Sequence, residues 1–283
     1  MQAPLQAQWN AGAPAPYQSP QSDLLAPVQA VMVRQKLQIF EQFCPACEKQ
    51  NFYRIGVCDP SKVSHPPDGN EFNAMQPSFV AQEDSECLCR FFCGKMREFR
   101  MLISEAAGLD APGQPYLRLE RPFRCTIPCC CVMVCPQELS VQDAQGRHLG
   151  SVVQDWSCGR CWELACCPGG YMYYAVKGAA GDPQFYLRVM YPSLCNGCTN
   201  CCAPTCLNTA FVVDILDADS RTHLGHLKNV FPGFNCRCLA DASNLVMGFP
   251  SKATPEQRAL LLGALFLVEY VYFEKSDNNN SSG

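Results

Sequence analysis

TPEQRALLLGALFLVEYVYF, residues 254–273, is the stretch on which the fold turns. Thr254 is a good helix N-cap, Pro255 suits the first helical position, Glu256 suits the positive end of the helix dipole, and Gln257 completes a capping box. From Ala259 to Val268 the run is apolar all round, and a helix without a polar face is buried on every face. About 19 residues at 1.5 Å each span roughly 28 Å. That is close to a bilayer's hydrocarbon thickness, yet Glu269 in the last third would cost about 2–3 kcal/mol in lipid. The lumen of a β-barrel would hold the same helix without that cost. The sequence therefore predicts a helix from Pro255 to about Phe273 enclosed by strands.

The rest of the chain supplies the strands. Phe99, Met101 and Ile103 alternate with residues of the opposite face, as do Leu117 and Leu119, Leu139 and Val141, Phe185, Leu187 and Val189, and Phe211, Val213 and Ile215. Turn signals separate them, and roughly a dozen short strands fit, which suggests a barrel or sandwich. The four prolines between Pro60 and Pro77 make that segment read as a loop. An internal repeat supports a barrel. Ala106-Ala107-Gly108 followed by Tyr116-Leu117-Arg118 recurs as Ala179-Ala180-Gly181 followed by Tyr186-Leu187-Arg188. Asp143-Ala144 followed by His148-Leu149-Gly150 recurs as Asp217-Ala218 followed by His223-Leu224-Gly225. Each copy reads as a four-stranded unit, offset by about 70 to 75 residues.

The chain has 283 residues, of which 22 are cysteine. An up-and-down strand order would gather the clusters Cys87 to Cys93, Cys125 to Cys135, Cys158 to Cys167, Cys195 to Cys206, and Cys236 with Cys238 on one rim. The opposite rim is expected to hold none. Met1 to Asn10 has no basic or apolar leader pattern, so reduced thiols are the expectation rather than a disulfide framework. Cys44 and Cys47, Cys158 and Cys161, and Cys195, Cys198 and Cys201 have zinc-ligand spacing, and bunched cysteines also suit S-acylation. A net charge of −4 disfavours non-specific nucleic-acid binding. Residues 1–27 are rich in Gln, Pro and Ala and read as a disordered tail with a place for protein partners; 276–283 read as a second tail. There is no nucleophile elbow, phosphate loop or HExxH, and the four histidines form no catalytic set, so an enzyme is not expected. His148 and His223 read as structural repeat mates.

These residues resemble the phospholipid scramblases. Leu119-Glu120-Arg121-Pro122 with Arg124-Cys125 resembles the family's LERP-x-RC stretch, and Cys129-Cys130-Cys131 with Cys135 resembles its palmitoylated polycysteine segment. Asp241-Ala242 to Phe249-Pro250 resembles its calcium loop, and Gly263 to Glu274 its C-terminal helix. The resemblance implies a mainly β fold, a tubby-like twelve-stranded antiparallel barrel over 28–275 enclosing the C-terminal helix. It also implies calcium-activated, ATP-independent, bidirectional movement of membrane phospholipids between leaflets at the cytoplasmic face of the plasma membrane. Palmitoyl groups are implied on Cys129, Cys130, Cys131 and Cys135. The calcium ligands would be Asp241, Ser243, Leu245, Met247 and Phe249, closing at Lys252. Only Asp241 among these is a carboxylate, and Ca²⁺ needs six to eight oxygens. Calcium binding is therefore expected to be millimolar or absent. The rival expectations are a membrane-tethered lipid- or protein-binding adaptor without transport, and a zinc-stabilised soluble barrel.

Overall fold

The alternating segments form the wall of a closed barrel. In the computed structural model, residues 24–36, 51–84, 98–124, 136–157, 170–190, 200, 203–231 and 243–273 are described. The strands are β1 (Ala30–Gln35), β2 (Phe52–Cys58), β3 (Phe79–Asp84), β4 (Phe99–Gly108), β5 (Ala111–Arg121) and β6 (Glu138–Asp143). They continue as β7 (His148–Gln154), β8 (Tyr171–Gly178), β9 (Pro183–Met190), β10 (Ala210–Asp217), β11 (His223–Val230) and β12 (Asn244–Gly248). Each pairs antiparallel with its sequence neighbours, and β12 closes on β1 with Met32 opposite Val246. Closure removes every free sheet edge.

The inward face of every strand feeds one apolar core. Val31, Ile55, Ala81, Met101, Leu119, Val141, Val152, Val176, Leu187, Val213, Leu227 and Met247 all belong to it. So does the expected helix, which is an α-helix over Pro255–Val268 and a π-turn over Glu269–Phe273. Every residue from Arg258 to Tyr270 is buried, which only enclosure achieves for a helix. The capping box forms as read: the Gln257 N–H donates to Thr254 Oγ1 at 3.2 Å, and the Thr254 N–H donates to Gln257 Oε1 at 2.9 Å. Glycine at 263 lets the helix approach the wall, because a Cβ there would lie 2.6 Å from Val141 Cγ2. Among the described residues no helix is long and apolar enough to cross a membrane.

Three local readings change. Leu25, inside the stretch read as tail, is fully buried, and Arg258 holds the segment around it. Arg258 Nη1 donates to the carbonyls of Leu25 and Val28, both at 2.8 Å, and to that of Ala26. The Pro60–Pro77 segment, read as loop, carries two short helices, α1 (Ser61–Ser64) and α2 (Gly69–Ala74). Asp68 caps α2 by accepting from the Glu71 N–H at 2.8 Å, and Phe72 buries into a small cluster with Val63 and Met75 outside the main core. The enclosed helix, which we number α3, ends its α-geometry at Val268. The hairpin between β4 and β5 is pinned at its tip. Asp110 at its tip accepts from Arg54 at 2.8 Å and Lys36 at 2.9 Å, so the tip lies against the outer wall of β2 and the end of β1.

Candidate functional site

Strand direction alternates around the barrel, so the connections alternate between its two ends. The connections β1–β2, β3–β4, β5–β6, β7–β8, β9–β10 and β11–β12 all belong to one end. Every cysteine except Cys58 falls in one of these six connections. Of them, only Cys206 is among the described residues, and it is exposed. Cys129, Cys130, Cys131 and Cys135 lie outside the described residues, as does Asp241. The expectation that the other end holds no cysteine is corrected by Cys58, the last residue of β2. Ala30, which opens β1, pairs with it. Burial, helped by the Asp59 carboxylate, pushes the Cys58 thiol up to about 11, so it carries little thiolate at neutral pH.

Buried polar residues gather at the cysteine-bearing end. Glu83, Arg121, Gln137, Gln154, Asn200, Asn229, Ser243, Asn244 and Glu269 sit at strand ends, in the connections or at the end of the helix on that side. Asn51 Nδ2 donates to Glu83 Oε2 at 2.7 Å, Tyr270 OH donates to the same oxygen at 2.6 Å, and Gln35 Nε2 donates to Asn51 Oδ1 at 2.9 Å. Along the neighbouring strands β5 to β7, Arg121 Nη2 donates to Gln137 Oε1 at 2.6 Å, and the Gln137 N–H donates to Gln154 Oε1 at 3.0 Å. Phe99 stacks on Tyr270 with ring centroids 3.9 Å apart. Asn200 instead serves the main chain, donating to the carbonyls of Met190 and Val212 and accepting from the Val212 N–H, so most of these buried groups find partners. The bond from Tyr270 to Glu83 and the Phe99 stack fix the end of the helix against the wall.

The segment expected as a calcium loop is a strand in its described part. Asn244–Gly248 form β12, laddered on both sides to β1 and β11. Leu245 and Met247 point into the core, Phe249 is buried, and Ser243 hydrogen-bonds through its main chain to Gln35. Lys252 is exposed in the turn before Thr254. Consecutive apolar side chains explain the extended form, since burial on the pleat rewards Leu245, Val246 and Met247. An extended strand spaces its carbonyls along a line and points them at its neighbours.

A carboxylate and two imidazoles meet on the outer face of β10 and β11. Asp214 on β10 lies directly opposite His226 on β11. A β-bulge at Ile215/Leu216 then returns His223 to the same outer face. Asp214 Oδ1 is 3.3 Å from His226 Nδ1 and 3.6 Å from His223 Nε2, and the two histidine nitrogens are 3.3 Å apart. Arg188 holds the other carboxylate oxygen, Oδ2, through Nε at 2.9 Å and Nη2 at 2.6 Å. Partial burial works against ionisation of Asp214, but hydrogen bonds from His226 and Arg188 prevail and hold it at about 2. The sequence signal was the repeat itself. Ser140, His148 and Ser151 occupy the matching places of the first copy, with the same bulge at Val141/Gln142 and Ser140 opposite Ser151.

A closed twelve-stranded barrel filled by its own C-terminal helix, with the connections that carry all but one of its cysteines at one end, defines a class. The chain belongs to the Scramblase family, whose sequence profile matches residues 10–168 and 185–275. It is similar to phospholipid scramblase 1 of Mus musculus, with 27% identity over 95% of this chain and 69% of that protein. It is also similar to phospholipid scramblase 2 of Homo sapiens, with 25% identity over 95% of this chain and 75% of that protein. A third relative is phospholipid scramblase 4 of Homo sapiens, 26% identical over 74% of this chain and 55% of that protein. No solved structure matches.

Proposed function

We propose that the protein moves phospholipids between the two leaflets of the plasma membrane, in both directions and without ATP, from the cytoplasmic face. The observation that carries this reading is the gathering of the cysteine-bearing connections at one barrel end in a chain of the Scramblase family. Equilibrating lipid lowers a barrier and forms no bond, so no nucleophile or general base is required. Acylation of Cys129, Cys130, Cys131 and Cys135 supplies attachment. Each acyl chain adds about 0.8 kcal/mol per buried CH₂, and two chains give stable anchoring. The N-terminal tail is the place for protein partners. Calcium plays a weak role or none, because Ser243, Leu245, Met247 and Phe249 offer no carboxylate and their described backbone is largely committed to β12 or its flanks. Zinc on the CxxC pairs is a structural ligand in this reading.

The test is reconstitution of the full chain into vesicles carrying a fluorescent phospholipid in both leaflets. With a membrane-impermeant quencher outside, protein-free vesicles keep the inner-leaflet half of their signal. Scrambling removes it without ATP. The filled lumen favours a second reading, a membrane-tethered adaptor that binds lipid or protein and transports nothing. That reading wins if the chain binds the vesicles and the protected signal persists. Alanine at all four acylation positions is expected to move the protein from the membrane to the soluble fraction in cells.

A further inference from the structure

The outer wall of β10 and β11 carries three metal-ligating groups that no part of the lipid-handling reading uses. They meet because Asp214 and His226 are cross-strand partners and the bulge brings His223 round to join them. Their ligand atoms lie 3.3, 3.3 and 3.6 Å apart. An ion bonded tetrahedrally at about 2.0–2.1 Å needs ligand atoms about 3.3–3.4 Å apart, so the three atoms match one face of a zinc-type coordination tetrahedron. We propose that Asp214 Oδ1, His223 Nε2 and His226 Nδ1 form a surface site for a divalent transition-metal ion of the zinc type.

The donor set is right for that class of ion. Two imidazoles and one carboxylate suit Zn²⁺, whereas Ca²⁺ and Mg²⁺ take oxygen ligands. The side chains of His223 and His226 are 42% and 38% exposed, so an ion can reach them from solvent. Exposure also leaves the fourth position to water or an incoming ligand. Arg188 binds only Oδ2, which leaves Oδ1 turned to the histidines. It orients the carboxylate as an outer-shell partner does. Its positive charge also lowers the affinity for a cation. The Arg188 guanidinium is itself placed over the Tyr171 ring, 4.8 Å from the centroid. The first repeat is a built-in control. It has the same bulge and a histidine at the matching place, but Ser140 and Ser151 stand where Asp214 and His226 supply ligands. Hydroxyls of neutral serine are poor zinc ligands, so the second copy alone carries the site.

The cysteine-rich end makes thiolate binding the background to be separated. The full chain, with its thiols blocked by a maleimide, is titrated calorimetrically with Zn²⁺. One equivalent is expected, and His223→Ala or His226→Ala is expected to weaken it by more than the roughly 10–100-fold that loss of an outer-shell partner costs. Co²⁺ added to the unblocked chain gives an independent readout. Visible bands of tetrahedral nitrogen and oxygen coordination, apart from thiolate charge-transfer bands, are expected to vanish in His226→Ala. The variant Ser140→Asp/Ser151→His should gain a second equivalent. Zinc uptake that is the same in wild type and both histidine variants, absent from the blocked chain, or accompanied only by thiolate bands overturns the proposal. Circular dichroism of each variant separates a lost site from a lost fold. Vesicle scrambling by His226→Ala is unchanged if the site is independent of lipid movement, so failure of the transport reading leaves this test intact.

Discussion

Alanine at position 263 probes the contact between the enclosed helix and its wall. A Cβ there would lie 2.6 Å from Val141 Cγ2, 3.4 Å from Leu139 Cδ2 and 3.5 Å from Leu119 Cδ2, all on fully buried residues. Carbon atoms rest at about 3.5–4.0 Å, so the first contact must open by about 1 Å. Val141 is β-branched and stiff at χ1, so its methyl cannot simply swing aside. In a free helix glycine to alanine gains about 1 kcal/mol. Overpacking a core costs about 1–3 kcal/mol. Gly263→Ala should therefore destabilise the protein by up to about 2 kcal/mol despite the better helix former. Val141→Ala alone removes two buried carbons, about 1.6 kcal/mol at 0.8 each. In the double variant the clash is gone and the new methyl fills part of the space. The two changes should couple favourably, by about 1–3 kcal/mol. Urea unfolding of the four proteins followed by circular dichroism completes the cycle, and each kcal/mol should move the melting temperature by about 2–4 °C. Stabilisation of about 1 kcal/mol by Gly263→Ala, or simple additivity, would show that the helix does not press on β6 as described.

Tyr270→Phe removes a donor from the buried Glu83 carboxylate and should cost about 1.5–3 kcal/mol in the same denaturation assay. Arg258→Met withdraws the donor shared by three carbonyls of the N-terminal segment, so limited proteolysis should cut between Leu24 and Val28 far faster than in wild type. Although partial burial raises it, hydrogen bonds from Lys36 and Arg54 hold the Asp110 carboxyl below its ordinary value. Its contribution is thus present above about pH 4 and lost as pH falls through the lowered value, so amide protection at the β4–β5 tip, corrected for the intrinsic exchange rate at each pH, should fall in acid and Asp110→Asn should abolish that change. Calcium titration by calorimetry should give millimolar affinity or no heat; micromolar binding lost in Asp241→Ala would refute the reading of that segment.

The barrel was legible because burial on a closed wall leaves a two-residue rhythm, and Phe211, Val213 and Ile215 keep it without interruption. The helix was legible because its lack of a polar face admits few environments and Glu269 argues against lipid. Its last turn was not, since the widening to π geometry over Glu269–Phe273 depends on where the wall supplies partners. Asp68, Phe72 and Met75 could not be read as a helix and its seat, because four prolines dominate that stretch and the seat is built from β1, β11 and β12, distant in sequence for the most part. The position of Cys58 required the end of β2, which its sequence does not mark. The cluster of Asp214, His223 and His226 was hidden for a different reason. Histidines three apart point to opposite faces of a regular strand, and only the bulge reverses this.

Pairing of β1 with β12 and enclosure of α3 also fix when the protein can be finished during its manufacture. The two strands that close the wall are among the first and last parts of the domain to be synthesised, and the helix that fills it follows the last strand. At about 5–20 residues per second, the ribosome needs on the order of ten to fifty seconds to pass from one to the other. During that interval the inward faces of up to eleven strands accumulate with neither a closed wall nor a filling. Nascent chains of this domain therefore depend on protection from aggregation until their final helix emerges. A premature stop just before Thr254 removes only a short C-terminal fraction of the sequence and yet takes away the entire centre of the core.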